Sequence, residues 1–314
     1  MIINISERTD IVNYYTPWLI NRLKEGYVYS RNPYYREQVY NIDLNPKKVD
    51  GLVFCSKNYE NILKYMEKIN STYHILAQYT ITSYNKDVEP NVASIDKSIQ
   101  TLKKLSQIIG PEKVVWRFDP ILLTEDYTIS KHMETFEYIL SEIHEDISFC
   151  IFSFVDMYQK VYRNMKEIIP FKNRDIEDIL SSMSKISQNY NIVLQNCCDN
   201  YDFEKYGILQ RGCITKEIFE KSNKIVLKDN IPHKGNRKAC KCMPTRDIGA
   251  YNSCLNECKY CYANKKPDIP KKIIKLHDEK SPLLIGHLNE NDKLIDTKPA
   301  NYIKTKEKTL FDYY

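Results

Sequence analysis

Short apolar runs alternate with amphipathic stretches along most of this chain, and that alternation restricts its fold more than any other feature. The runs "IINI" (2–5), "GLVFC" (51–55), "HILAQYTI" (74–81), "KVVWRF" (113–118), "ISFCIFSF" (147–154) and "NIVLQN" (191–196) are bounded by polar or turn residues. They are rich in β-branched and aromatic side chains, as buried strands are. Between them lie helix patterns. "TPWLINRLKEG" offers Thr16 as N-cap, Pro17 at the first helical position and Gly26 as a stop. Ile95, Ile99, Leu102 and Ile109 share one face of a helix ending at Gly110-Pro111. Met133, Phe136, Leu140 and Ile143 repeat the pattern, as do Ile176, Ile179, Leu180, Met183 and Ile186. Near-continuous apolar strands, each followed by a helix, indicate a parallel sheet covered by helices. Six such units predict an α/β fold with a TIM-type parallel barrel, full or partial, over residues 1–230.

After residue 231 the texture changes to "IPHKGNRKACKC", a cysteine-rich run and "NKKPDIPKK". Residues 231–270 are expected to form an ordered loop or subdomain held by something other than a core. Residues 271–314 are expected to add a strand and a tail that cover one end of the barrel.

Parallel α/β folds carry their sites at the carboxyl ends of the strands. Polar groups stand at those ends here: Ser6, Arg8 and Asp10; Ser56, Lys57 and Asn58; Thr80 and Thr82; Arg117 and Asp119; Ser153 and Asp156; Gln195. Each alone could be a cap or a surface charge; six strand ends so furnished point to a pocket. Arg8 and Arg117 suit a carboxylate or another acceptor, since a planar guanidinium bonds in pairs. Asp10 and Asp119 suit the N–H edge of a guanine-like base, with Asn58 as a further substrate contact. An Arg117–Asp119 ion pair that merely supports the site is the competing reading.

Net charge is only +5 with 28% charged residues, so nucleic acid is an unlikely partner for lack of a clustered basic face. The start "MIINISERTD" lacks a leader-type apolar run, and no stretch reaches the ~20 apolar residues that span a bilayer. A cytoplasmic location without membrane contact is expected, where thiols stay reduced. Ten cysteines in that compartment favour metal or redox chemistry over disulfides.

Three of the ten fall within "CLNECKYCYAN": Cys254, Cys258 and Cys261, in a C-x3-C-x2-C frame with Tyr260 before the last. Closely spaced thiolates bind iron–sulfur clusters, and three ligands would leave one iron of a [4Fe–4S] cluster open. Zinc is the competitor. Cys240 and Cys242 could join Cys258 and Cys261 across fifteen intervening residues, though this leaves Cys254 idle and Tyr260 without a role. Cys197 and Cys198 read as small buried hydrophobes. Whether Cys213, Cys240 and Cys242 serve a second metal site stays open at this level.

The triad resembles that of the radical S-adenosylmethionine (SAM) superfamily, in which the cluster usually follows the first barrel strand. Here it follows six strand–helix units, and that order is similar to a widespread bacterial family with a C-terminal cysteine cluster. The likeness runs through "ISERTDI", "SRNPYY", "VDGLVFCSKN", "WRFDP", "CKC", "DIGAYNSCLNECKYCYAN" and "SPLLIGHL". Cys55-Ser56 departs from the Trp-Thr pair common in that family. The resemblance implies a [4Fe–4S] cluster on Cys254, Cys258 and Cys261, SAM as co-substrate with Tyr260 and Tyr262 beside it, and a flavodoxin or ferredoxin reductant. The nearest named activity is queuine lyase, which implies a modified nucleobase as substrate and carbon–nitrogen cleavage in queuosine salvage. A radical lyase acting on a DNA photoproduct and a non-catalytic zinc-stabilised binding module are the alternatives.

Overall fold

The computed structural model describes residues 1–199, 201–235, 240–298 and 300–304; the predicted tail beyond 304 lies outside the described residues. The strands are β1 (Ile2–Asn4), β2 (Tyr27–Arg31), β3 (Gln38–Asp43), β4 (Gly51–Ser56), β5 (Ile75–Thr80), β6 (Val114–Ile121), β7 (Phe149–Phe154), β8 (Leu194–Asn196), β9 (Leu209–Gln210), β10 (Thr245–Asp247) and β11 (Lys293–Asp296). Eight form one sheet in the order β10-β1-β4-β5-β6-β7-β8-β9, and every neighbouring pair is parallel.

All six apolar runs are strands of this sheet, because both of its faces are covered. Ile2, Val53, Leu76, Val115 and Ile151 pack on one face with Phe219 and Leu227. Ile3, Leu52, Phe54, Ala77, Trp116 and Phe152 meet the helices on the other. A strand buried on both sides shows no polar alternation. The helices Thr16–Glu25, Ile95–Ile109, Ile129–Ile143 and Asn173–Asn189 stand where the periodicity placed them. Phe136, from the third of these, stacks on Trp116 with ring centroids 5.0 Å apart, an arrangement aromatic pairs favour. Gly26 ends the first helix at φ 78 as expected. Thr16 does not cap it: Tyr15 holds the cap position, and the Thr16 hydroxyl donates to Val12 O at 2.7 Å.

The expected parallel sheet is present, but among the described residues its edge strands β9 and β10 do not pair with each other. A backbone bond, Met243 N–H to Ile214 O at 2.8 Å, joins the segments beside these edges. The second sheet, β11-β3-β2, was absent from the sequence reading. The expected C-terminal strand exists as β11, but it pairs with β3 rather than with the large sheet.

Candidate functional site

The carboxyl end of β10 opens directly into the cysteine loop. Since β10 pairs with β1, Ile2 opposite Thr245 and Asn4 opposite Asp247, the loop emerges beside Ser6–Asp10. Its shape is fixed from within: Asn252 N–H donates to Ala263 O at 3.0 Å, and the Asn264 amide donates to Cys254 O at 2.7 Å. Asn252 and Glu257 turn the chain with φ 62 and 57, in the left-handed region that Asn tolerates best among non-glycine residues. Neighbouring elements hold it as well. Tyr15 donates its hydroxyl proton to Ser253 O at 2.6 Å, and the Asn91 amide donates to Leu255 O at 2.7 Å.

Cys254, Cys258 and Cys261 all line one cavity of about 150 Å³, together with Glu7, Cys55 and Lys57. Asp10, Tyr260 and Tyr262 are also on its wall. Burial pushes the thiols of all three cysteines up, and mutual repulsion adds to this for Cys254 and Cys258. They therefore stay protonated at neutral pH and make poor nucleophiles; a thiophilic metal would displace the protons. Among the described residues, no three Cys, His, Asp or Glu side chains already converge as a finished metal site. The donor set nonetheless fits a cluster: three thiols from one braced loop face one space, and Ala263 N–H donates to Cys261 Sγ at 3.3 Å. Such N–H···S bonds tune cluster potentials.

Asp10 is buried, and its oxygens accept from Ser56 Oγ at 2.7 Å, Asn13 N at 3.0 Å, Asn256 Nδ2 at 3.0 Å and Lys57 N at 3.2 Å. It ties the β1 loop, the end of β4 and the cysteine loop together. Burial still pushes its carboxyl up, against these four bonds. Glu89 is a second such centre. It accepts from Lys57 Nζ and Thr82 Oγ1, both at 2.8 Å, and from the Tyr260 hydroxyl. The Lys57 ammonium also lies 5.8 Å from the Tyr260 ring centroid, within cation–π range. Burial, then the Asp247 charge, pushes Glu7 up to about 7.

The remaining predicted residues are dispersed. Arg117 pairs in fork fashion with Asp119 and reaches Gln78 Oε1 at 2.9 Å. Neither residue of that pair lines the cavity, but the charges of both act on Cys55, which does. Arg8 pairs with Asp247, donates to Ser30 Oγ at 2.9 Å, and lines a separate groove of about 720 Å³. Tyr262 lines both spaces. Asn58 bonds Asn13 Oδ1 at 3.1 Å and does not line the cavity. Glu7 and Glu89 escaped the sequence reading. Glu7 stands between two residues that were singled out, and Glu89 lies in "NKDVEPNV", a loop with no periodic signal.

Fold and site define an α/β protein whose eight-stranded parallel sheet carries a cysteine loop at the carboxyl ends of its strands. A family model described as a domain of unknown function, DUF1848, matches residues 2–263, so the chain belongs to that family. No curated protein matches it. Among the described residues, no helix is long and apolar enough to cross a membrane.

Proposed function

We propose that this protein is a radical SAM enzyme whose [4Fe–4S] cluster is held by Cys254, Cys258 and Cys261. One observation carries the reading. The cysteine loop leaves the edge strand β10 beside β1 and brings all three thiols to one cavity over the ends of the parallel strands. β10 is late in the chain but first in the sheet order, which reconciles the C-terminal triad with a cluster placed after the first strand. Three thiols from one loop leave one iron open for the co-substrate. When bound, the cluster and SAM supply a 5′-deoxyadenosyl radical for hydrogen abstraction.

The chain's own residues position and insulate that chemistry. Glu89 fixes the Tyr260 ring through its hydroxyl and holds Lys57 beside it, which suits a ring that flanks the adenine. Tyr262 stands between the thiol cavity and the larger groove. Glu7, poised near neutrality, can take or give a proton at its carboxylate. Asp10 holds the loop in place. Arg117 and Asp119 support the site as an ion pair beside Cys55, and Arg8 serves the outer groove. A flavodoxin or ferredoxin supplies the electron.

Queuine is the proposed substrate, on the strength of the resemblance: the cyclopentenediol is detached and an aminomethyl-deazaguanine is released. The test is anaerobic. Protein reconstituted with iron and sulfide is reduced with dithionite, mixed with SAM, and assayed for 5′-deoxyadenosine by mass spectrometry with and without queuine. Product in wild type and none in Cys258→Ala is expected, with a several-fold rise on adding queuine. Absence of product in wild type would overturn the radical reading; product that ignores queuine would overturn the substrate alone.

A further inference from the structure

Five other cysteines gather between β9 and β10, the two edge strands of the large sheet. Cys197 and Cys198 follow β8, Cys213 follows β9, and Cys240 and Cys242 precede β10. In sequence the first pair reads as packing, and the zinc alternative joins Cys240 and Cys242 to Cys258 and Cys261. The structure joins them to one another instead. Cys213 Sγ lies 3.4 Å from Cys242 Sγ, and Cys197 Sγ lies 3.7 Å from Cys198 Sγ. Cys240 meets both Cys198 and Cys242, and Cys197 also meets Cys213. None of the five is in a disulfide among the described residues.

The backbone is shaped around this contact. Cys198 has φ 71, a left-handed conformation that strains a side-chain-bearing residue. A Cβ on Gly212 would lie 2.5 Å from Cys242 N, and one on Gly235 would overlap Cys240 Sγ. Only glycine allows both approaches. Packing of small apolar side chains requires neither the strained turn nor the two glycines.

We propose that Cys198, Cys213, Cys240 and Cys242 bind a second metal centre, thiolate-ligated, which closes the gap between β9 and β10. These four form an unbroken run of contacts, Cys198–Cys240–Cys242–Cys213, that uses both members of the C-x-C pair. Cys197 meets Cys198 and Cys213 and packs beside that run. An all-thiolate set selects zinc or an iron–sulfur cluster over hard cations. The 3.4 Å separation across the gap approaches the edge of about 3.8 Å in a tetrahedron with Zn–S bonds of ~2.3 Å. Binding takes all four as thiolates and draws pairwise contacts into one shell.

The triple variant Cys254→Ala/Cys258→Ala/Cys261→Ala, purified anaerobically, is assayed for zinc, iron and sulfide. About one zinc per chain, or the iron and sulfide of one cluster, should remain. Adding Cys240→Ser/Cys242→Ser should remove it, and adding Cys197→Ala should not. No metal in a triple variant that melts cooperatively would overturn the proposal. Should the triple variant not fold, Cys240→Ser/Cys242→Ser in the wild-type background replaces it: loss of one centre's metal is expected, and unchanged metal content is the contrary result. A failed triad would instead show as lost 5′-deoxyadenosine with this metal retained, so the two readings fail separately.

Discussion

At the scale of single residues, buried carboxylates do most of the organising. Asp10 was legible as a polar group at a strand end, but its role was not, because Asn256, one of its four donors, lies 246 positions away in the chain. Asp10→Ala leaves four donors without their acceptor, and a fall of ~3 kcal/mol in unfolding free energy is expected, read by urea denaturation; a change below about 1 kcal/mol would show that the hub is dispensable. Glu7 makes a prediction with a sign. Its carboxyl rises from 4.5 to about 7 on folding, so between those values the unfolded chain has lost a proton that the folded chain keeps. Its contribution is complete below about pH 4.5 and is lost as pH rises through 7. Glu7→Gln removes that loss. Its Tm relative to wild type should climb between about pH 5 and pH 8, by the equivalent of ~1–2 kcal/mol after allowance for partial exposure. A Tm difference that is flat with pH would contradict the shift.

At the scale of elements, the apolar runs revealed β1 and β4 to β8 because burial on both faces writes itself into composition. β10 left no such trace. Its three residues, Thr245–Asp247, are polar and partly exposed, and only pairing with β1 makes them a strand. The short sheet of β2, β3 and β11 was missed for a related reason: two of its strands are joined by a long turn, and the third comes from 250 residues later. β10 nevertheless carries the site. Arg246→Pro should break its pairing with Ile3, at a cost of ~3 kcal/mol confined to that edge. Iron bound at the triad should fall several-fold while the far-UV circular dichroism changes little. Full iron content in that variant would separate the loop from its strand.

At the scale of the whole molecule, chain order and spatial order differ by a permutation, and the ends of the fold are positioned to show it. The Met1 ammonium pairs with Asp50 and also meets Ala300 O. A circular permutant that joins the C-terminal end to Met1 through a short linker, and opens in the exposed stretch around Asp229–Lys234, places the cysteine segment ahead of β1. Proximity of the joined ends predicts that it folds. The lost ammonium leaves Asp50 buried, with donors among the described residues from Tyr302 N at 2.9 Å and Ile303 N at 3.2 Å. The permutant should therefore be less stable by ~3 kcal/mol, and Asp50→Asn should recover part of this in thermal melts. A permutant that binds no iron would contradict the permuted-sheet account.

The central claim is that Cys254, Cys258 and Cys261 hold a cluster with one iron open to SAM. It is tested most directly by electron paramagnetic resonance of the reconstituted, dithionite-reduced Cys240→Ser/Cys242→Ser protein, titrated with SAM. The account predicts a reduced [4Fe–4S] signal that changes shape on adding SAM and vanishes in Cys258→Ala. A protein that carries zinc at the triad, or a cluster signal indifferent to SAM, would contradict it.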